Sequence, residues 1–263
     1  MMGYSHAMSG AAGWYAVTSA SAGFGWYELR PEEQLAGAIL CAGAALLPDA
    51  DHPSATIAHS IPIVGRTVTG ALGHAAGGHR KGMHTLWSIA GVFVLSLLLG
   101  LISNVETDFG VVNIAALVAT VALTTFAVKV LRFTRNWGIA WLIGMAAAVA
   151  MFFFQPDSAF WLPICITLGY GIHLLGDAIT TGGIAWFYPW LPKPPAWLVA
   201  IPVVNRLWMK NGYFSVPILG NTGSWRENIL AFGFSMYVLY ASLVIFAEAW
   251  GVDIRFATLL QYL

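Results

Sequence analysis

The sequence predicts an all-α protein, a polytopic transmembrane helical bundle with about six to seven membrane segments. Of its 263 residues, 58% are hydrophobic and only 9% are charged, whereas about 25% of the residues in a soluble domain are charged. The mean hydropathy is +0.72. The apolar residues also gather into runs about as long as a helix that crosses a bilayer. We therefore treat residues 1–263 as a single integral membrane domain and expect a multi-pass protein of the cell membrane.

Seven apolar runs supply the predicted membrane segments. A helix needs about 20 residues, within a range of about 17–25, to cross the hydrocarbon core, and the third to seventh runs meet that length. The first run is rich in small residues, which is typical of a helix packed closely against its neighbours. The second is short and is either a half-helix or a tilted one. The runs are residues 7–24, 34–47, 86–103, 111–131, 138–154, 159–176 and 229–249, the last being the final transmembrane helix.

The stretch 183–228, between the last two runs, is rich in proline, tryptophan and glycine. Tryptophan favours the headgroup zone of a bilayer, so this stretch is predicted to be a long interfacial loop. Its tryptophans include Trp186, Trp190, Trp197 and Trp208.

The basic residues predict the orientation of the chain. If all seven runs cross and the N-terminus is cytoplasmic, ten cations fall on the inner side and two on the outer side, which is the bias expected of a membrane protein. All seven histidines also fall on or near the inner face. The inner cations are Arg66, Arg80, Lys81, Lys129, Arg132, Arg135, Lys193, Arg206, Lys210 and Arg226, and the outer ones are Arg30 and Arg255.

Four short stretches bring ionisable residues to the inner boundary. They are SHA with His6, LLPDADHPS with Asp49, Asp51 and His52, GHRKGMHTL with His79 and His84, and GIHLLGDAITTGG with His173 and Asp177. Such groups are costly near lipid unless they serve a function. Their joint presence predicts one polar site at the cytoplasmic boundary.

The spacing of these residues favours a metal site. His173 and Asp177 are four residues apart on an apolar helix, so both lie on one face; they could be zinc ligands, the aspartate could orient the imidazole, or the pair could form a hydrogen bond at a helix end. Asp49 and Asp51 would repel each other without a cation, although the stretch could also be a polar cap at the end of a helix. The candidate ligands are His6, Asp51, His52, His79, His84, His173 and Asp177, and the candidate catalytic residues are Asp49, Asp51 and Arg80.

The remaining residues of the inner loops have simpler interpretations. Thr85 is predicted to cap the helix that follows His84, and Arg80 is first a topology signal and second a group that could hold a phosphate. His59 and His74 are predicted to be ordinary polar loop residues, because they stand in no dense cluster.

The motifs LLPDADHPS, GHRKGMHTL and HLLGDAITTGG, in this order, resemble those of the LexA-regulated, membrane-bound metal-dependent hydrolase family. The resemblance covers residues 4–220, with the metal-site motifs within 4–182. It implies an inner-membrane hydrolase, distantly like zinc-dependent phospholipase C proteins, whose ligands and catalytic groups come from the eight His and Asp residues of the four stretches. The sequence departs from the family pattern at Lys81-Gly82-Met83, where the family often has Gly-x-Thr between its paired histidines.

These observations predict a membrane-embedded hydrolase that uses one or two divalent metal ions, with zinc the first choice, on a phosphoester or lipid such as a phospholipid. The ligands favoured are His52, His84, His173 and Asp177, with Asp49 or Asp51 as ligand or general base. The alternatives are a metal-ion or proton transporter or channel and a membrane scaffold with a structural metal. The middles of four runs carry almost no ionisable groups, which disfavours transport.

Two further features bear on partners. The formal net charge is zero, so no overall field favours nucleic acid, and membrane lipid is the expected partner. Cys41 and Cys165 lie within apolar runs and are predicted to be buried core thiols. The sequence leaves the oligomeric state open.

Overall fold

The computed structural model describes residues 1–61, 63–108, 110–153, 156 and 158–252. Arg255, which entered the cation count, and residue 154, which ends the fifth apolar run, lie outside the described residues, as does the end of the predicted domain from residue 253 onwards.

Each of the seven apolar runs forms a helix, so the helical character predicted for them is confirmed. The described residues form three further, shorter helices. In chain order the helices are α1 (Gly3–Thr18), α2 (Pro31–Ala44), α3 (Val64–Ala75), α4 (Leu86–Ile102), α5 (Ile114–Val130), α6 (Trp137–Phe153), α7 (Trp161–Ala178), α8 (Ala196–Val199), α9 (Pro202–Leu207) and α10 (Trp225–Ala249). Short 3-10 turns at Pro48–Asp51, Thr56–His59 and Gly82–His84 lie between the early helices.

One element departs from the all-α prediction. Strands β1 (Asn104–Thr107) and β2 (Gly110–Asn113) pair antiparallel as a hairpin. The β-branched residues Val105, Val111 and Val112 favour extended backbone, and Asn113 caps the following helix by accepting a hydrogen bond from the backbone nitrogen of Ala116 at 2.8 Å. The fourth run, predicted to begin at residue 111, therefore becomes helical only at residue 114.

The long helices pack around α1, α2 and α7. Helix α1 contacts α2, α7 and α10, while α2 also contacts α5, and α4 packs on α7. Small residues permit the closest approaches, because a Cβ on Gly43 would overlap the backbone of Leu123. Trp14 and Trp161 meet edge to face, with ring centroids 6.0 Å apart, in the core. Both cysteines are buried and free, as predicted.

The outer faces of the bundle are apolar. Every residue of α4 is at least partly exposed, and Leu95, Leu98 and Leu101 on it are each more than half exposed. Among the described residues, α10 alone is both long and apolar enough to cross a membrane by length and composition; α4, α5 and α6 are apolar but shorter. Large continuous apolar surfaces mark contact with a membrane or a partner.

The topology brings four chain segments to one end of the bundle. Helix α1 begins there, α2 and α7 end there, and the turn before α4 returns there. Thr85 caps α4 as predicted, because its Oγ1 accepts a hydrogen bond from the backbone nitrogen of Ser88 at 3.0 Å. The four sequence stretches that carry the histidines and aspartates therefore meet, although they are up to about 170 residues apart in the chain.

Candidate metal centre

His84 and His173 form the centre of the cluster. Both are fully buried, and their Nε2 atoms lie 3.3 Å apart. Nδ1 of His173 lies 2.7 Å from the carbonyl oxygen of Ala45, which can only accept, so Nδ1 carries the proton. The lone pair of His173 is consequently on Nε2, the atom that points at His84, and this is the arrangement of a histidine that binds metal.

Asp51 supports two imidazoles from behind. Its Oδ1 lies 2.7 Å from Nδ1 of His79, and its Oδ2 lies 3.4 Å from Nδ1 of His84. The side chain of Asp51 is fully buried. These contacts leave the Nε2 atoms of both rings available on their far sides.

The charge of Asp51 is maintained by its partners. Burial raises the pKa of Asp51, but the hydrogen bond from His79 and the proximity of His84 outweigh burial and bring the pKa to about 2. Burial conversely lowers the pKa of His79, and the hydrogen bond and charge of Asp51 outweigh it and raise the pKa above its usual value. Asp51 is thus a carboxylate at neutral pH.

Asp177 joins the cluster from α7. Its Oδ2 lies 3.7 Å from Nε2 of His84 and 3.9 Å from Nε2 of His173. The i, i+4 spacing does place His173 and Asp177 on one helix face, as the sequence predicts. Its Oδ1 contacts the nitrogen of Met1 and lies 3.2 Å from Nε2 of His6.

His6 and Asp49 close the cluster on two further sides. The ring of His6 is stacked on that of His173, with centroids 3.6 Å apart and planes 14° apart. Both ring nitrogens of His6 are buried without a well-aligned hydrogen bond. Oδ1 of Asp49 lies 3.7 Å from Nε2 of His173, and the Asp49 side chain is 26% exposed. Asp49 is the carboxylate that opens towards solvent.

These donors satisfy the geometric requirement for a metal ion. Three overlapping groups each bring their ligand atoms within 4.8 Å of one another. Imidazole nitrogen and carboxylate oxygen are the donors that Zn²⁺ and similar ions prefer, and an ion could also bind one of the two ring nitrogens of His6 that lack a hydrogen bond. The groups are His6, Asp49 and His173; Asp49, His79 and His84; and His84, His173 and Asp177.

Arg80 reaches the cluster through a strained loop. Its backbone is in the left-handed region, with φ 61°. Its Nη2 lies 3.2 Å from Oδ2 of Asp177, and its Nη1 donates to the carbonyl oxygen of Gly183 at 3.3 Å. A Cβ on Gly182 would overlap this guanidinium, so a larger residue at that position would displace the guanidinium.

A cavity of about 380 Å³ opens over the cluster. Asp49, His52, His79, Arg80 and Asp177 all line it. The sequence favours His52 as a ligand, but His52 belongs to none of the three groups among the described residues. Its Nδ1 instead accepts a hydrogen bond from the hydroxyl of Ser54 at 2.7 Å. His52 therefore lies at the cavity wall with only its Nε2 left to act as a ligand.

Some contributors could not be named from sequence. The carbonyl of Ala45 has no side-chain signature, and the role of Gly182 depends on a neighbour about a hundred residues away. Ser54 lies within the DHPS motif, which is a usable signal. His59 and His74 are exposed and belong to none of the three groups in the described part of the chain.

The fold and the cluster define a mostly helical protein with a buried set of histidines and aspartates that can hold a metal ion. A family model described as the YdjM inner membrane protein matches residues 1–144 and 138–251. The chain belongs to this family, which supports the predicted inner-membrane location. No curated protein and no solved structure matches the chain.

Proposed function

We propose that the chain is a multi-pass inner-membrane hydrolase that uses a divalent metal, with Zn²⁺ the first choice, to cleave a phosphoester at the cytoplasmic boundary. One observation carries this proposal: the Nε2 atoms of His84 and His173 face each other at 3.3 Å, with Asp49 and Asp177 within 3.9 Å of them. So many polar groups, buried and aimed at one point, are costly to fold unless a cation binds there.

The residues of the cluster divide into proposed metal ligands and one residue, Asp51, that holds two of them in position. His84, His173 and Asp177 would hold one ion. His6 and His79 belong to the two other, overlapping groups around Asp49, and each offers a further donor. A divalent metal bound in such a site polarises the phosphoryl group and lowers the pKa of water towards about 7. Asp51 serves as a positioning residue, because it fixes the tautomers of His79 and His84 rather than facing the cavity.

Two groups are placed to act on the substrate. Asp49 is the exposed carboxylate on the cavity wall, so we assign it the general base that takes the proton of the attacking water. Arg80 lines the same cavity, and its guanidinium can pair with a phosphate oxygen as charge builds up there. As the water oxygen bonds to phosphorus, the P–O bond to the alcohol breaks. Asp49 takes the proton of the water and can return it to the leaving alkoxide, and the phosphate product lies against Arg80.

The membrane arrangement follows from the surface of the bundle. The seven long helices correspond to the seven apolar runs, and α4 and α10 present large apolar side chains outwards. We infer that all seven cross the bilayer, the shorter ones with local thinning of the bilayer. The cation bias then puts the cluster on the cytoplasmic side.

Labelling of single cysteines tests this topology. A thiol-reactive, membrane-impermeant probe added outside intact cells should modify Thr107→Cys and leave Gly70→Cys unmodified until the membrane is opened. Gly70 is a suitable site, because nothing lies within 4 Å of a Cβ built there. The natural cysteines are buried and give the background. Labelling of residue 70 but not residue 107 from outside would place the cluster on the other face.

The reaction itself is tested with purified protein in mixed micelles. We expect hydrolysis of a chromogenic phosphodiester that is abolished by a chelator and restored by Zn²⁺. Asp49→Asn should lower kcat by about 10²-fold or more, because a general base contributes about 10²–10⁴-fold. Metal content measured beside kcat separates loss of the base from loss of the ion.

Other outcomes would select a different function. Bound metal with no turnover of any phosphoester, carboxylic ester or amide would point to a scaffold with a structural metal. Metal or proton flux into proteoliposomes, abolished by His173→Ala, together with absent turnover, would replace the hydrolase with a transporter.

A further inference from the structure

A second cavity, which the chemistry above does not use, adjoins the metal centre. It is a groove of about 500 Å³ between α1, α7, α10 and the loop that follows α7. Small-molecule sites typically occupy about 300–1,000 Å³. Its walls are almost wholly apolar and, in the described part of the chain, carry no ionisable side chain. They include Ile172, Leu175, Trp186, Phe214, Leu230 and Phe234.

The groove adjoins the polar cavity at Met1. Met1 lines both cavities, and Gly176, which borders the groove, immediately precedes Asp177 of the metal cluster. A Cβ on Gly176 would lie 2.7 Å from Sδ of Met1 and 3.2 Å from the ring of His6. An extended molecule could therefore occupy the groove at one end and the polar cavity at the other.

We propose that the groove holds a hydrocarbon chain of the substrate while its phosphoester lies in the polar cavity, so that the substrate class is an amphiphilic phosphoester. This inference rests on the proposed hydrolase. The apolar lining excludes a headgroup or an ion as occupant, since neither would find a partner there. Leu175, Leu207 and Val216 line the groove and are themselves exposed, so the groove opens to the apolar outer surface through which a chain would enter.

Alkyl p-nitrophenyl phosphodiesters with methyl, butyl and octyl chains test the groove at fixed detergent. Each buried methylene strengthens binding about fourfold, so kcat/KM should rise with chain length in the unaltered protein. Leu230→Trp, which fills the groove, should lower the octyl-to-methyl ratio of kcat/KM about tenfold. Ile229→Trp adds the same ring to the adjacent, exposed position and should leave that ratio unchanged.

Two results would overturn the assignment: equal ratios in both variants, or no dependence on chain length in the unaltered protein. Taking the ratio removes the effect of a change in the amount of folded enzyme.

If no ester is cleaved at all, the proposed hydrolase fails, and the groove is tested separately. A single-chain phospholipid with a diazirine at its chain end should then crosslink to α7 and α10, less so in Leu230→Trp than in Ile229→Trp. Absence of crosslinks on these helices would rule the groove out.

Discussion

Alanine at His173 or at His84 should lower the affinity for Zn²⁺ by more than about 100-fold. Changing a group that merely orients a ligand costs about 10–100-fold, and removing a ligand deletes a bond to the ion. Both imidazoles are fully buried, so water cannot easily take their place. The measurement is a chelator competition on detergent-purified protein, with metal content determined by elemental analysis.

A graded set of variants makes this result specific. Asp51→Asn should weaken the affinity only by about 10–100-fold, because it contacts His79 and His84 from behind. His59→Ala, at an exposed position, should change nothing. His173→Gln keeps a polar side chain and controls for loss of folding. Metal lost from His59→Ala but retained by His173→Ala would refute the cluster.

Arg80→Lys should reduce kcat/KM for a phosphodiester by about 10²-fold while bound metal is retained. The guanidinium holds Gly183 with one nitrogen and Asp177 with another, and an ammonium cannot reproduce that planar fork. Removing one group that stabilises charge in the transition state typically costs about 10²–10³-fold. Steady-state rates and metal analysis of the same sample are the two measurements.

Gly182→Ala tests the position of the Arg80 guanidinium without changing its charge. The added Cβ would overlap Arg80, so the rate should fall in the same direction as in Arg80→Lys. Lys81→Arg is the matched control, since Lys81 lies against the ring of Tyr188 at 5.9 Å and not at the cluster. A normal rate in Arg80→Lys would show that the guanidinium of Arg80 does not act on the substrate.

Much of the candidate site can be predicted from sequence because its members lie in compact motifs. His173 and Asp177 share one turn of an apolar helix, and that spacing fixes their common face. The ends of the apolar runs, together with the charge bias, bring the other motifs to the same side. The ends of the helices were harder to predict, since the β-branched stretch before α5 forms a hairpin. The sequence interpretation also did not include α3, which lies in the loop before α4.

Composition and periodicity by themselves determined the helical class, the seven apolar helices and the set of eight ionisable residues, since these depend on local hydrophobicity and on spacing along the chain. Only the tertiary structure decided which atoms face each other. Asp49 and Asp51 are two residues apart, yet Asp51 lies behind the imidazoles and Asp49 lies on the cavity wall. That difference arises because a 3-10 turn at Pro48–Asp51 points neighbouring side chains in different directions, and the partners they meet come from segments distant in the chain.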